Sequence, residues 1–253
     1  QKELRDLHLD VRADATFSEM RSLADRKRIS QAVLPEIQKE AQRVLQREVK
    51  AVRRMIKKNL AGITNGRELR GTDSLFQDVE EFYHGEFTET INSMMLPVIR
   101  EYATEIYIQA TLETGFPTDL TEELEEFVTG YMRVMSNKHA KISRQKLQRI
   151  IRQVDFLELE NLLEVELERW LKVRAEKIAR IESTEGNGAF SKFGYMAAGV
   201  MSLRWVTSGS KTCPYCRRLS GTTVGTTGRF VEAGDPVKGL LAEGQEEVAS
   251  SPT

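Results

Sequence analysis

The sequence predicts a mainly α protein: an elongated bundle of long helices followed by a small, irregular β/knuckle module at the C-terminal end, α+β in total. Three observations lead there. Apolar residues recur at steps of three and four over stretches longer than an ordinary helix. Glycine and β-branched residues take over beyond residue 200. The only two cysteines fall together in that last stretch, as Cys213-Pro-Tyr-Cys216. The expected division is an N-terminal arm at 1–28, a long-helix region at 29–185, and a terminal module at 186–253.

Residues 1–28 carry 13 charged side chains and little periodicity, which reads as an arm or short helices. From Ser30 the apolar stripe Ile37, Ala41, Leu45, Val49, Val52, Ile56 and Leu60 predicts a helix, with Gly62 as its C-cap. Ser74 with Gln77 forms a capping box for the next one. Its stripe is Val79, Tyr83, Phe87, Ile91, Met95, Val98, Tyr102 and Ile106, interrupted by Pro97, which should kink or split it. Thr121 followed by Glu122 and Glu123 starts a third helix, running to about Gln153. Asp155 and Glu158 cap a fourth, with Phe156, Leu159, Leu163, Leu167, Trp170, Ile178 and Ile181 on its face. "EGNGA" at 185–189 should end it, and a short helix should follow to about Gly199. "SLRWVTS" then reads as a strand and "TTVGTTGRFV" as a small hairpin. Such a module, with few large apolar side chains, needs a partner or a metal to hold it.

Composition excludes several classes. Formal net charge is −1, so no global field marks a nucleic-acid or membrane binder. No apolar run reaches the roughly 18 residues of a membrane span, and no signal peptide pattern is present. Two cysteines fit a reducing compartment. The chain begins at Gln1 and ends in a Gly-rich tract running into "VASSPT", which reads as a piece of a longer product. There is no Gly-rich phosphate loop, HExxH or G-x-S-x-G elbow, and no catalytic residue is assigned. Glu182 and Glu185, beside Asn187, read as part of a capped helix end and not as an acid–base pair.

Cys213 and Cys216 admit three readings. A glutaredoxin-like dithiol needs a central strand before it and an apolar-periodic helix after it. The downstream "RRLSGTTVGTTGRF" is not such a helix. A zinc knuckle also opens with Cys-x-x-Cys, since that spacer lets both thiolates reach one ion at about 2.3 Å. Zinc takes four ligands, however, and no Cys or His follows residue 216; His84 and His139 read as exposed helix residues. The third reading is an unligated pair.

Around the cysteines lie Ala179, Arg180 and Glu182, then Trp205-Val206-Thr207, then Leu219-Ser220-Gly221. This ensemble resembles the phage head-morphogenesis proteins, the Mu F-like minor capsid proteins, over about residues 165–235. Ile181 stands at a family threonine and Ser220 at a family aspartate. The family's closing His-Pro-x-Cys-x-Cys has no counterpart up to Thr253, so Cys213 and Cys216 carry over only as half of a zinc site. Arg180, Glu182, Trp205 and Gly221 carry over as motif residues. The resemblance implies a virion protein inside the head, present in the host cytoplasm during assembly. It implies a structural role at the portal vertex in capsid assembly and in genome retention or delivery. The partners implied are the portal and major capsid proteins. The alternatives are a helical nucleic-acid-binding protein with a zinc knuckle, and a dithiol oxidoreductase.

Packaged double-stranded DNA is a further partner to weigh. Residues 137–153 carry six basic side chains and no acid. Lys138, Lys141, Arg149 and Arg152 fall within a stripe of roughly 80° on a helix, a sequence-blind phosphate face. Against it, residues 155–168 hold six acids that could pair with that face in a hairpin. A second basic cluster, Arg47, Lys50, Arg53, Arg54, Lys57 and Lys58, reads as a solvated flank.

Overall fold

A computed structural model describes residues 17–60, 68–116, 119, 122–154, 156–207, 213–232, 236–240 and 246–250. The elements are α1 (Phe17–Leu60), α2 (Glu68–His84), α3 (Glu86–Glu113), α4 (Glu122–Gln153), α5 (Phe156–Ala197), β1 (Ser202–Arg204), α6 (Pro214–Leu219), β2 (Thr223–Gly225), β3 (Pro236–Leu240) and β4 (Glu246–Ser250). The protein is mainly α with a small, irregular C-terminal module, as the periodicity implied.

The chain forms two compact units. One comprises residues 29–105 and 119–189; the other comprises residues 1–28, 106–118 and 190–253. The first is built from apolar stripes. All seven stripe residues of α1, Ile37 to Leu60, are buried, as are Val79, Tyr83, Phe87, Ile91, Met95 and Tyr102 of α2 and α3. Leu124, Val128, Met132, Met135, Leu147 and Ile151 of α4 and Leu159, Leu163, Leu167 and Trp170 of α5 complete this core. Each such side chain contributes about 1.5–3 kcal/mol by leaving water, which outweighs modest helix propensity.

In the second unit Ile106, Tyr107, Ala110 and Phe190 are buried, and the rings of Tyr107 and Phe193 meet at 5.9 Å. Arg26 lies over the Tyr195 ring and bonds its hydroxyl, and Tyr195 donates to Glu113. Strands β1 and β2 pair antiparallel, Leu203 opposite Val224, and β3 pairs with β4. Helix α6 lies beside β3.

Five local expectations are corrected. Helix α1 starts at Phe17, inside the supposed arm, and includes Pro35. Ser74 lies within α2 and caps nothing. The second stripe is interrupted at Gly85, not at Pro97, and α3 continues through the proline. Pro97 and Ser93, whose carbonyl loses its amide donor, are both exposed, so water can take that acceptor. Helix α5 runs through "EGNGA" to Ala197. The two glycines there cost about 1 kcal/mol each against alanine. Glu182 before this stretch and Phe190 after it are both buried. The local hairpin does not form, because Thr223–Gly225 pairs with the distant Ser202–Arg204 instead. Gly62 and Asp155 lie outside the described residues.

Two glycines of α5 should respond oppositely to alanine. A Cβ on Gly194 would stand 2.9 Å from the Ala110 Cβ and 3.1 Å from the Tyr107 carbonyl oxygen. Gly194→Ala should therefore destabilise by about 1–3 kcal/mol. Gly188 has open space around that position, and Gly188→Ala should stabilise by about 0.5–1 kcal/mol. Urea denaturation followed by circular dichroism reads both; shifts of the same sign would contradict the packing described.

Candidate functional site

Polar residues interrupt the apolar stripes of the first unit, and they converge. Glu182 of α5 is fully buried. Its Oε1 accepts from His139 Nε2 at 2.8 Å and pairs with Lys138 Nζ at 2.8 Å, while its Oε2 accepts from the Tyr131 hydroxyl at 2.9 Å. Lys138 also donates to Glu185 at 2.6 Å. Tyr131 lies about two turns before the adjacent Lys138 and His139 on α4, and Glu182 and Glu185 are one turn apart on α5.

Electrostatics follow from that geometry. Burial alone would raise the Glu182 carboxyl, but the hydrogen bonds and charges of His139 and Lys138 reverse it and hold it below the usual carboxylate range. Burial pulls Lys138 down and its two glutamates pull harder, so it ends above the ordinary lysine value. Burial beside Glu182 pushes the Tyr131 phenol up.

A second node adjoins the first. Arg174 Nη2 donates to the His139 carbonyl at 3.3 Å, and its Nη1 reaches both Glu48 oxygens at 3.4 Å. Tyr83 donates to Glu48 at 2.7 Å, and the Arg174 guanidinium lies 4.6 Å over the Trp170 ring. A third node joins the Tyr102 hydroxyl to the Ser183 carbonyl at 2.5 Å and to Ser30 Oγ at 2.7 Å; Asn187 donates to Ser30 at 2.6 Å. The cavity touching Glu48, His139 and Arg174 holds about 10 Å³, the space of a single water. The His–Glu–Tyr–Lys cluster ties α4 to α5.

Sequence reasoning had assigned these residues differently. His139 was expected at the surface and is buried on Glu182; His84 is exposed, beside Glu80 at 2.8 Å. Glu182 and Glu185 do not follow a helix end: they lie inside α5. Arg180 is exposed and pairs with Glu176. Of the proposed phosphate stripe, Lys138 is spent on Glu182 and Glu185, and Arg152 stacks 4.4 Å over Phe76. Lys141 and Arg149 remain exposed, with no ion pair among the described residues. The acids of α5 mostly turn elsewhere. Within 155–168, Glu164 and Glu168 bind Arg53 of α1, and among the described residues of that stretch only Glu166 approaches the basic helix, 3.9 Å from Lys146. Lys58 of the second basic cluster pairs with Asp78 at 2.9 Å. Tyr131, Glu48 and Arg174 were not foreseen, and Tyr83 was expected only as a residue of the apolar stripe. The available signal was a charge at a stripe step: Glu48 occupies the position between Leu45 and Val52.

The motif residues of the second unit form a framework. Trp205 N–H donates to the Thr222 carbonyl at 2.8 Å, and Gly221 N–H returns to the Trp205 carbonyl at 2.9 Å. Gly221 has φ of 81°, a conformation that favours glycine. Thr207 and Ser220 hydroxyls meet at 3.0 Å, and the Trp205 ring meets Phe230 edge-on at 5.1 Å.

Cys213 is exposed and stands before α6, its Sγ accepting from Cys216 N–H at 3.2 Å, with Pro214 opening the helix. A hydrogen bond from Cys216 lowers the Cys213 thiol below its usual value, and the same bond pushes Cys216 up to about 11. Among the described residues no group of three or more His, Cys, Asp or Glu is placed to hold a metal ion. The two cysteines fit zinc as half of a four-ligand donor set.

No protein-family model matches the chain, and no curated protein or solved structure matches it either. Among the described residues no helix is long and apolar enough to cross a membrane.

The Glu182 cluster makes a pH prediction. A carboxyl whose folded pKa is depressed contributes stability that is present above its unfolded value and lost as pH falls through the folded one. Acidifying below about 4.5, the ordinary glutamate value, should therefore destabilise the wild type more steeply than Glu182→Gln. At neutral pH Glu182→Gln should cost about 1–3 kcal/mol, through weaker bonds to His139, Lys138 and Tyr131. Chemical denaturation at a series of pH values checks this; parallel curves would show that Glu182 is not the group involved.

Proposed function

We propose that this chain is a structural minor head protein of a tailed bacteriophage, acting inside the head at the portal vertex. Its role there is capsid assembly and genome retention or delivery, with portal and major capsid proteins as partners. The observation that carries the reading is the clasp of Trp205, Gly221 and Thr222. Of the residues on which the family resemblance rests, Trp205, Thr207, Ser220 and Gly221 serve as framework, holding strand to turn, as an assembly module requires. The long helices support it as well: Val134 and Ile142 of α4 and Val165 and Val173 of α5 present apolar side chains to solvent, available for neighbouring subunits.

Co-expression with the portal and major capsid proteins of the same genome tests this. The chain should sediment with portal-bearing heads, and Gly221→Val, which forces a branched side chain into a positive-φ position, should reduce its incorporation at least several-fold. Heads that form normally while the chain stays entirely unassembled would overturn the reading.

Duplex DNA contact is a second reading, favoured by the exposure of Lys141 and Arg149 on one side of α4. Reversing both charges should lower the slope of log K against log salt by about 2, one unit per lost phosphate contact. An unchanged slope would remove DNA from this face.

A further inference from the structure

The framework role above leaves the two thiols unused. They have the layout of a working pair. Cys213 is exposed and Cys216 is shielded one helical turn later. The Cys216 N–H donates to the Cys213 sulfur at 3.2 Å, which holds the two residues within one turn. Pro214 fixes the backbone between them. An inert structural cysteine is buried among apolar groups; Cys213 is not.

We propose that Cys213 and Cys216 form a stoichiometric thiol–disulfide exchange pair, in which Cys213 attacks the disulfide of an oxidised low-molecular-weight thiol and Cys216 resolves the adduct. In the first step the Cys213 thiolate forms a bond to one sulfur of glutathione disulfide, whose S–S bond breaks and releases one glutathione thiolate. In the second, Cys216 loses its proton to that thiolate or to water and attacks the Cys213 sulfur, expelling the second glutathione. The chain's dithiol is oxidised by two electrons, and one glutathione disulfide is reduced to two glutathiones. The division of labour follows from access: the exposed Cys213 sulfur is the one a dissolved disulfide reaches first, and the half-buried Cys216, one turn away, is the one placed to attack the resulting adduct. This site does not depend on the assembly role, and a failed assembly test would leave it standing.

The test uses the full chain, reduced and then equilibrated across a series of reduced-to-oxidised glutathione ratios. It is quenched with an alkylating reagent and weighed by mass spectrometry. The expected result is one transition from doubly alkylated chain to unalkylated chain lighter by two hydrogens. Cys216→Ser should accumulate a glutathione adduct on Cys213, while Cys213→Ser should form one on Cys216 several-fold more slowly, because that sulfur is the less exposed of the two. Circular dichroism checks that the serine variants keep their helices, and the transition in the unmodified chain stands whether or not they do. The proposal fails if both thiols stay alkylatable in excess oxidised glutathione. It also fails if the two variants react at equal rates, or if one zinc per chain shields both sulfurs from the disulfide.

Discussion

A carboxylate with no exposure to water exists in a folded protein only where its donors are already in place. Desolvating Glu182 costs several kcal/mol, and His139, Lys138 and Tyr131 offset that only at hydrogen-bonding distance. The constraint is therefore geometric before it is energetic. A one-residue slip of α4 along α5 would rotate the donors by about 100° and leave a buried charge alone. Apolar stripes tolerate sliding; this contact does not. Arg174 carries the same discipline onward, since its guanidinium spans the His139 carbonyl and Glu48, and Glu48 fixes Tyr83. The nodes draw α1, α2, α4 and α5 into one register.

A parallel arrangement sits outside the core. Phe76, Glu80 and His84 of α2 are each one turn apart, and they meet Arg152, Gln148 and Arg144 of α4, which descend at the same interval. Arg144, Gln148 and Arg152, at four-residue spacing, thus work as rungs between antiparallel helices. That is why the basic run at 137–153 is not a uniform phosphate surface: one of its cations serves Glu182, others serve α2, and the outward ones keep their charge for solvent or a partner.

Much of the fold was legible because burial follows period. The stripe from Ile37 to Leu60 is buried in full, and the second stripe is buried except at Val98, where the helix presents Ile99 instead. Chain breaks were less legible. Gly186, Asn187 and Gly188 have turn chemistry, yet the helix continues, because Asn187 finds Ser30 and Ser183 and Thr184 return their hydroxyls to the Arg180 carbonyl. These are tertiary and side-chain facts that a local propensity cannot contain. The Glu182 cluster was hidden for a related reason. His139 and Glu182 are 43 residues apart, and each alone reads as a polar residue on a helix. The module around Gly221 was half visible: its strand was readable, but the partner strand lies beyond α6.

The chain also carries its own optical reporters. Of its two tryptophans, Trp170 lies in the first unit, almost wholly shielded, beneath Arg174 and donating from Nε1 to Glu166 at 2.6 Å. Trp205 lies in the second, partly open to solvent and edge-on to Phe230. Emission from the first should be shorter in wavelength and poorly reached by a dissolved quencher, while the second should be redder and readily quenched. Unfolding of either body can then be followed separately, without a label, in a single fluorescence trace.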